Sequence, residues 1–143
     1  MREQDQASST ASKKRVLFVC IGNSCRSQMA EGFARAYGSD VIVPRSAGLS
    51  PALMIAPLTK QVLKEKNISV DDQFPKGLDM VSREAFDILV NMSGTKVAMP
   101  AQRSLEWPVR DPIGAKEEVY RSVASQIEDL VMRLILELRT PSR

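Results

Sequence analysis

The order of apolar and polar positions along the chain predicts alternating strands and helices. Continuous apolar runs, which are typical of buried parallel strands, predict strands over 16–20, 41–43 and 86–92. Apolar residues at helical spacing predict helices over 27–37, 58–66 and 116–139. Prolines or polar residues dominate between these elements and predict mostly loop over 49–57, 67–78 and 99–111.

Strands that alternate with helices predict an α/β fold. We expect a doubly wound three-layer sandwich with a central parallel sheet of about four strands, built from one domain over 15–140. Residues 1–14 are polar and are predicted to be a disordered tail. Ligands of open α/β sheets bind beyond the carboxyl ends of the strands, so the segment after 16–20 is the first place to seek a site.

The composition narrows the possible chemistry. The chain has no histidine, which removes Ser-His-Asp and Cys-His mechanisms and histidine-ligated metals, and we predict neither a metal nor another cofactor. A net charge of +3 and 5% aromatic residues argue against a nucleic-acid partner, and no apolar run is long enough to span a membrane. Two cysteines are too few for a disulfide framework and favour a reducing, cytoplasmic location.

The segment between the first predicted strand and the first helix carries the candidate chemistry. It reads Cys20, Ile21, Gly22, Asn23, Ser24, Cys25, Arg26, Ser27. Backbone N–H groups in such a loop, backed by a helix N-terminus, can bind an anion, and the same field favours the thiolate form of a cysteine. We therefore predict phosphoryl-transfer chemistry through Cys20, with residues 21–27 as a phosphate-binding loop. Arg26 would clamp two phosphate oxygens with its planar fork.

Three further assignments each leave two alternatives open. Ser27 can cap the helix, donate a hydrogen bond to the thiolate, or do both. Cys25 either packs behind the loop or forms a reversible disulfide with Cys20. Asp111, in a proline-rich loop, is the best local candidate for a general acid, although the same residue could simply cap a turn.

Three motifs, taken together and in this order, resemble the low-molecular-weight protein tyrosine phosphatase family, whose fold is shared by a class of arsenate reductases. They are Cys-x5-Arg-Ser at 20–27, Ser-Ala-Gly at 46–48 and Asp-Pro at 111–112, and the resemblance spans 15–139. It implies that Cys20 is the nucleophile, that Arg26 binds phosphate and that Asp111 is the acid and later the base. It also implies that Asn23 and Ser46 form hydrogen bonds that hold the loop's shape.

The chain departs from both branches of this family. The tyrosine phosphatases usually carry an aromatic residue after Asp-Pro, where this chain has Ile113, and a histidine often joins their Asn–Ser network. Thioredoxin-coupled arsenate reductases carry two further cysteines, and those positions fall near Ser93 and Met99. An internal disulfide relay is therefore not expected.

We predict a cysteine-dependent phosphatase that hydrolyses phosphate monoesters, of the phosphotyrosine type or small aryl phosphates, through a phosphocysteine intermediate. Its partner would be a phosphorylated protein or a small phosphate or oxyanion. One alternative is an arsenate reductase that uses an external small thiol or a glutaredoxin-like partner. The other is a non-catalytic phosphate-binding regulatory module, against which the trio of Cys20, Arg26 and Asp111 argues, because a pure binder needs neither a thiol nor an acid.

Overall fold

Four parallel strands form the sheet on which the site is built. The computed structural model of the chain describes residues 13–140. The strands are β1 (Lys14–Cys20), β2 (Ile42–Gly48), β3 (Ile88–Asn91) and β4 (Arg103–Glu106). They are arranged in the order β2-β1-β3-β4, and every neighbouring pair is parallel. The predicted α/β fold with four parallel strands is confirmed.

Alternate residues of β1 serve two separate cores, as the two-residue period of a strand requires. Val16 and Phe18 pack into the larger core, which contains side chains of three helices: α1 (Arg26–Gly38), α2 (Pro57–Lys64) and α3 (Glu117–Arg139). Leu17 and Val19 face the smaller core. That core is closed by a short 3-10 helix (Leu78–Val81) and by loop segments, which form the third layer. Burial on both faces explains why β1 is a continuous apolar run.

The fourth strand lies where the sequence predicts mostly loop. Pro100 and Pro108 flank β4, and its side chains are largely exposed. It pairs with β3 at the edge of the sheet, with Leu105 opposite Val90. Charged residues on a short edge strand discourage pairing with other chains, and they also remove the apolar pattern by which a strand is predicted.

The predicted boundaries shift by a few residues at other elements. β1 begins at Lys14, so the predicted disordered tail over 1–14 ends one residue too late. The rest of that tail, except Lys13, lies outside the described residues. β2 continues to Gly48 rather than ending at residue 43. None of the helices within residues 13–140 combines the length and apolar character that crossing a bilayer requires.

Candidate active site

The loop over 20–27 connects the carboxyl end of β1 to the first turn of α1, as predicted. Asn23 adopts a φ of 51°, the left-handed conformation that asparagine tolerates better than most residues. The loop lies directly against Gly48 at the end of β2, where a Cβ would stand 2.7 Å from the Ile21 carbonyl oxygen. The Ser-Ala-Gly motif therefore ends in glycine because the loop leaves no room for a side chain.

A small cavity opens above this loop. Its volume is about 170 Å³, and it is lined by Cys20, Ile21, Gly22, Ser24, Cys25, Arg26, Ala52, Asp111 and Ile113. This is smaller than the ~300–1,000 Å³ of sites for drug-sized ligands, which suits a small oxyanion or the head of a larger substrate. A larger groove of about 700 Å³ runs along α2 through residues 57–71, but no cysteine lines it. In the described part of the chain, no three His, Cys, Asp or Glu side chains could together hold a metal ion.

Two donors surround the Cys20 sulfur, which is almost fully buried. The Ser27 Oγ lies 2.9 Å from Cys20 Sγ, and the Ser27 backbone N–H points to the same sulfur at 3.4 Å. The Asn23 side-chain amide donates to Ser27 Oγ at 2.7 Å, which leaves the serine hydroxyl hydrogen for the sulfur. The contact with Cys20 is one of the two roles considered for Ser27. The other role, a cap of α1, is not seen, because α1 has no side-chain cap hydrogen bond.

The Arg26 guanidinium is held at one nitrogen and free at another. Its Nη1 donates to the carbonyl oxygens of Met92, at 2.5 Å, and Val109, at 2.9 Å, both beyond the carboxyl ends of neighbouring strands. Its Nε is buried and has no hydrogen-bond partner among residues 13–140. Since a buried N–H is normally paired, this orphaned donor beside the cavity fits an oxyanion bound at the Nε–Nη2 edge.

The two carboxylate oxygens of Asp111 have different surroundings. Oδ1 accepts a hydrogen bond from the Ile113 backbone N–H at 3.1 Å, which is the turn-capping contact. Oδ2 lies 3.4 Å from Arg26 Nη2, and the residue lines the Cys20 cavity. The structure thus contains the turn-capping contact and also places Asp111 at the cavity, while its role as a general acid stays a prediction.

Cys25 is a free, buried thiol on the inner side of the loop. Its Sγ lies 3.7 Å from the Tyr120 hydroxyl on α3. Burial raises the pKa of the Cys25 thiol and also the pKa of Tyr120. This arrangement is the packing alternative for Cys25, and the disulfide with Cys20 stays a prediction.

The support of the loop differs from what the family resemblance implies for Ser46. The Ser46 hydroxyl donates to Glu31 on α1 at 2.5 Å and makes no hydrogen bond to the loop. Asn23 Oδ1 instead accepts from Gln28 Nε2 and from the Lys76 backbone N–H, each at 3.0 Å. Neither residue was predicted, because glutamine and lysine are usually exposed and no local pattern marks them as buried.

Lys76 adds a buried amine behind the loop. Its side chain is 4% exposed, and Nζ donates to the Ser46 carbonyl oxygen at 3.2 Å. Nζ also lies 4.7 Å from the centre of the Phe74 ring. Burial lowers the pKa of Lys76, although the nearby Glu31 carboxylate opposes that shift.

The fold and site together define an α/β protein whose first strand is followed by a loop that brings a cysteine and an arginine to one small cavity. The family model described as low molecular weight phosphotyrosine protein phosphatase matches residues 15–142. The chain therefore belongs to the low-molecular-weight phosphotyrosine protein phosphatase family, and it is an enzyme of that fold.

Relatives within this family carry two kinds of names. A "Glutaredoxin arsenate reductase" from Synechocystis sp. is 34% identical over 130 residues, covering 87% of this chain and 98% of that protein. A solved arsenate reductase in the phosphate-binding state superposes with a TM-score of 0.80 at 32% identity, covering 87% and 98% of the two chains. A low molecular weight protein tyrosine phosphatase from T. tengcongensis has a TM-score of 0.74 at 30% identity, covering 87% and 99%.

Proposed function

We propose that this protein is an arsenate reductase that regenerates Cys20 with an external thiol. The observation that carries the proposal is the unpaired, buried Nε of Arg26, a residue that lines the same small cavity as Cys20. This pair can bind a tetrahedral oxyanion against a nucleophile. Arsenate and phosphate share charge and shape, so the geometry of the site does not distinguish them, and we choose between them by the names of the similar proteins. Their names support the reductase more than the phosphatase that we predicted from the sequence.

In the first step, the Cys20 thiolate attacks arsenic and one arsenate oxygen leaves as water. An external thiolate then attacks the Cys20 sulfur, the S–As bond breaks, and its electron pair stays on arsenic, which departs as arsenite. The resulting mixed disulfide is opened by a second external thiol, which frees Cys20. Two thiols are thus oxidised to one disulfide, and arsenic gains two electrons.

The residues of the site divide these tasks. Arg26 and the loop N–H groups hold the oxyanion, while Asp111 supplies the proton to the departing oxygen. Ser27 donates to the sulfur, which stabilises Cys20 both as an attacking thiolate and as the thiolate released at the end of the cycle.

The thiol must come from outside because the chain lacks a relay. Cys20 and Cys25 are its only cysteines. Cys25 is buried in the loop against Tyr120, and the position near Ser93 is occupied by a hydroxyl that bonds Asn91 Oδ1 at 2.7 Å. No disulfide formed inside the protein could be carried to a thioredoxin at the surface. A glutathione- or mycothiol-type thiol, alone or with a glutaredoxin-like protein, fits these limits.

The purified protein should therefore reduce arsenate with a small thiol but not with thioredoxin and its reductase alone. We expect arsenite formation to be at least about 10-fold faster with glutathione or mycothiol than with thioredoxin. A small thiol can attack Cys20 directly, whereas thioredoxin needs a disulfide that has been carried to the surface. Arsenite would be quantified by chromatography coupled to elemental mass spectrometry. Many turnovers with thioredoxin alone would contradict the absence of a relay.

A phosphatase is the second candidate, and the position of Asp111 beside the cavity favours it equally. Hydrolysis of an aryl phosphate needs no electron donor once Cys20 is reduced. The same protein preparation should therefore be assayed with aryl phosphate and with a phosphotyrosine peptide. Efficient hydrolysis without arsenite formation in the presence of thiols would make phosphate-ester hydrolysis the function.

Asp111→Asn is expected to slow turnover by about 100-fold, because the amide cannot protonate the departing oxygen. With aryl phosphates, the loss should be larger for more basic leaving groups, since these depend most on an acid. Rates for a series of substituted phenyl phosphates measure this dependence. Asp79→Asn, which changes an exposed carboxylate on the short 3-10 helix, is the matched control. A loss that is equal for all leaving groups would assign the acid role to another residue.

A further inference from the structure

We propose that Gln28 is a positioning residue that orients the hydrogen bond to the Cys20 thiolate through Asn23 and Ser27. Gln28 lies in the first turn of α1, directly after Ser27, and its side chain is fully buried. The proposal rests on Cys20 being the nucleophile of the proposed function. The amide of a fully buried glutamine is normally hydrogen-bonded, so its hydrogen-bond partners show which groups it holds in place.

Those partners are concentrated on the residue that turns the loop. Gln28 Nε2 lies 3.0 Å from the Asn23 carbonyl oxygen, 3.0 Å from Asn23 Oδ1 and 3.1 Å from the Phe74 carbonyl oxygen. One amide group therefore binds both the main chain and the side chain of Asn23. It holds the φ of 51° at that position and the direction of the asparagine amide at the same time.

The direction of the Asn23 amide decides what Ser27 offers to Cys20. Oδ1 receives donors from Gln28 and from the Lys76 backbone, so Nδ2 must face Ser27. Nδ2 donates to Ser27 Oγ at 2.7 Å, and the serine hydrogen is then directed to Cys20 Sγ, 2.9 Å away. With the amide reversed, Oδ1 would take the serine hydrogen, and the thiolate would lose this donor.

The orientation of the Gln28 amide is in turn fixed by a hydrogen bond from Gln73. Gln73 Nε2 donates to Gln28 Oε1 at 2.6 Å, which leaves Gln28 Nε2 directed to Asn23. Gln73 Oε1 in turn accepts from Arg35 at 3.2 Å. Three neutral amides, those of Gln73, Gln28 and Asn23, thus connect the exposed Arg35 to Ser27. Their effect on Cys20 depends on hydrogen-bond direction rather than on charge.

The charged groups around Cys20 make no hydrogen bond to the Gln28 side chain, although Arg35, which donates to Gln73, also pairs with the Glu31 carboxylate. Arg26, from α1, and Asp111, from the loop before α3, line the cavity together with Cys25, whose thiol contacts Tyr120. Behind the loop stand Lys76 and, on α1, Glu31, whose side chains contact Ser46 rather than Gln28. A change at Gln28 therefore alters one donor to the sulfur and leaves every charge in place.

Gln28→Met, which keeps the length and removes the amide, tests the proposal. Alkylation of Cys20 by iodoacetamide is followed in the substrate-free protein by peptide mass spectrometry, which separates Cys20 from Cys25. Loss of a donor disfavours the thiolate, so the rate should fall about 10-fold at about pH 6. At about pH 9, where an ordinary thiol is already mostly ionised, it should fall less than about 2-fold.

Thr59→Val is the matched control. Thr59 is also fully buried and holds the loop, donating to the Ser24 carbonyl oxygen at 3.0 Å, but it has no hydrogen bond to Asn23. This variant should lower the melting temperature without changing the ratio of alkylation rates at the two pH values. Gln73→Met, at the outer end of the amide chain, should change that ratio in the same direction as Gln28→Met, by about 3-fold.

The proposal is overturned if Gln28→Met and Gln73→Met leave the ratio at the parent value, or if Thr59→Val changes it as much. If Gln28→Met does not fold, Gln73→Met alone decides by the same criterion. Because alkylation needs no substrate, failure here is distinct from failure of arsenate reduction. In turnover assays, Gln28→Met should lower kcat more than it raises KM, since Cys20 loses a donor while Arg26 keeps its contacts with Met92 and Val109.

Discussion

Cys20→Ser should abolish arsenate reduction while the protein still binds oxyanions. A serine hydroxyl is a far weaker nucleophile than a thiolate and cannot enter a mixed disulfide, so we expect a loss of at least about 10⁴-fold. The loop N–H groups and Arg26 are unchanged, so the dissociation constant for phosphate or arsenate should stay within about 3-fold. Arsenite formation and calorimetric titration with phosphate measure the two properties separately.

Cys25→Ser provides the comparison that distinguishes a nucleophile from a resolving thiol. Cys25 contacts Tyr120 and has no part in the proposed cycle, so this variant should still turn over when a small thiol is supplied. If Cys25→Ser were as inactive as Cys20→Ser, Cys25 would be the resolving cysteine and the external thiol would act later. If Cys20→Ser still reduced arsenate or hydrolysed an aryl phosphate, Cys20 would not be the nucleophile.

The central part of the site could be predicted because it is local in the sequence. Cys20, Arg26 and Ser27 lie within one strand–loop–helix unit, and the geometry of that unit brings the arginine and the serine to the thiol. Asp111 lies far away in sequence, but its position in a loop before a long helix places it at the same edge of the sheet. A parallel sheet collects such loops at its carboxyl edge.

The supporting residues could not be predicted, because their roles arise only from packing between distant segments. Nothing near Lys76 in the sequence indicates that its backbone N–H meets Asn23, 53 positions earlier. Gln28 follows the motif directly, yet a polar residue in the first turn of a helix ordinarily faces solvent. Ser46 occupies the position that the family motif marks, but its partner is the Glu31 carboxylate.

The weakest secondary-structure prediction has a related cause. β4 is exposed along most of its length, and only one of its four residues is apolar, so its sequence carries no pattern of burial. Its pairing is decided by backbone hydrogen bonds to β3 and by Leu105, which packs against the larger core. Main-chain pairing of this kind does not depend strongly on side chains and is therefore hard to predict from a sequence.

Arg26→Lys is the second change from which we expect a large effect, although it preserves the charge. In the parent protein, Nη1 binds the carbonyl oxygens of Met92 and Val109, which fixes the plane of the guanidinium. In the proposed function, the buried Nε and its neighbour Nη2, which lies 3.4 Å from Asp111 Oδ2, then bind two oxygens of the oxyanion. A lysine has a single nitrogen, which cannot satisfy both carbonyl groups and also form a planar two-point contact.

We therefore expect Arg26→Lys to lower kcat/KM for arsenate by about 100-fold or more, and to weaken phosphate binding in the same protein. Steady-state kinetics and calorimetric titration measure these losses. Arg103→Lys, which changes an exposed arginine paired with Glu137, is the matched control and should behave like the parent protein. Thermal unfolding of both variants shows whether the lost carbonyl contacts also destabilise the fold. A folded Arg26→Lys protein with activity within a few-fold of the parent would mean that charge alone suffices, and that the planar fork of Arg26 is not what binds the oxyanion.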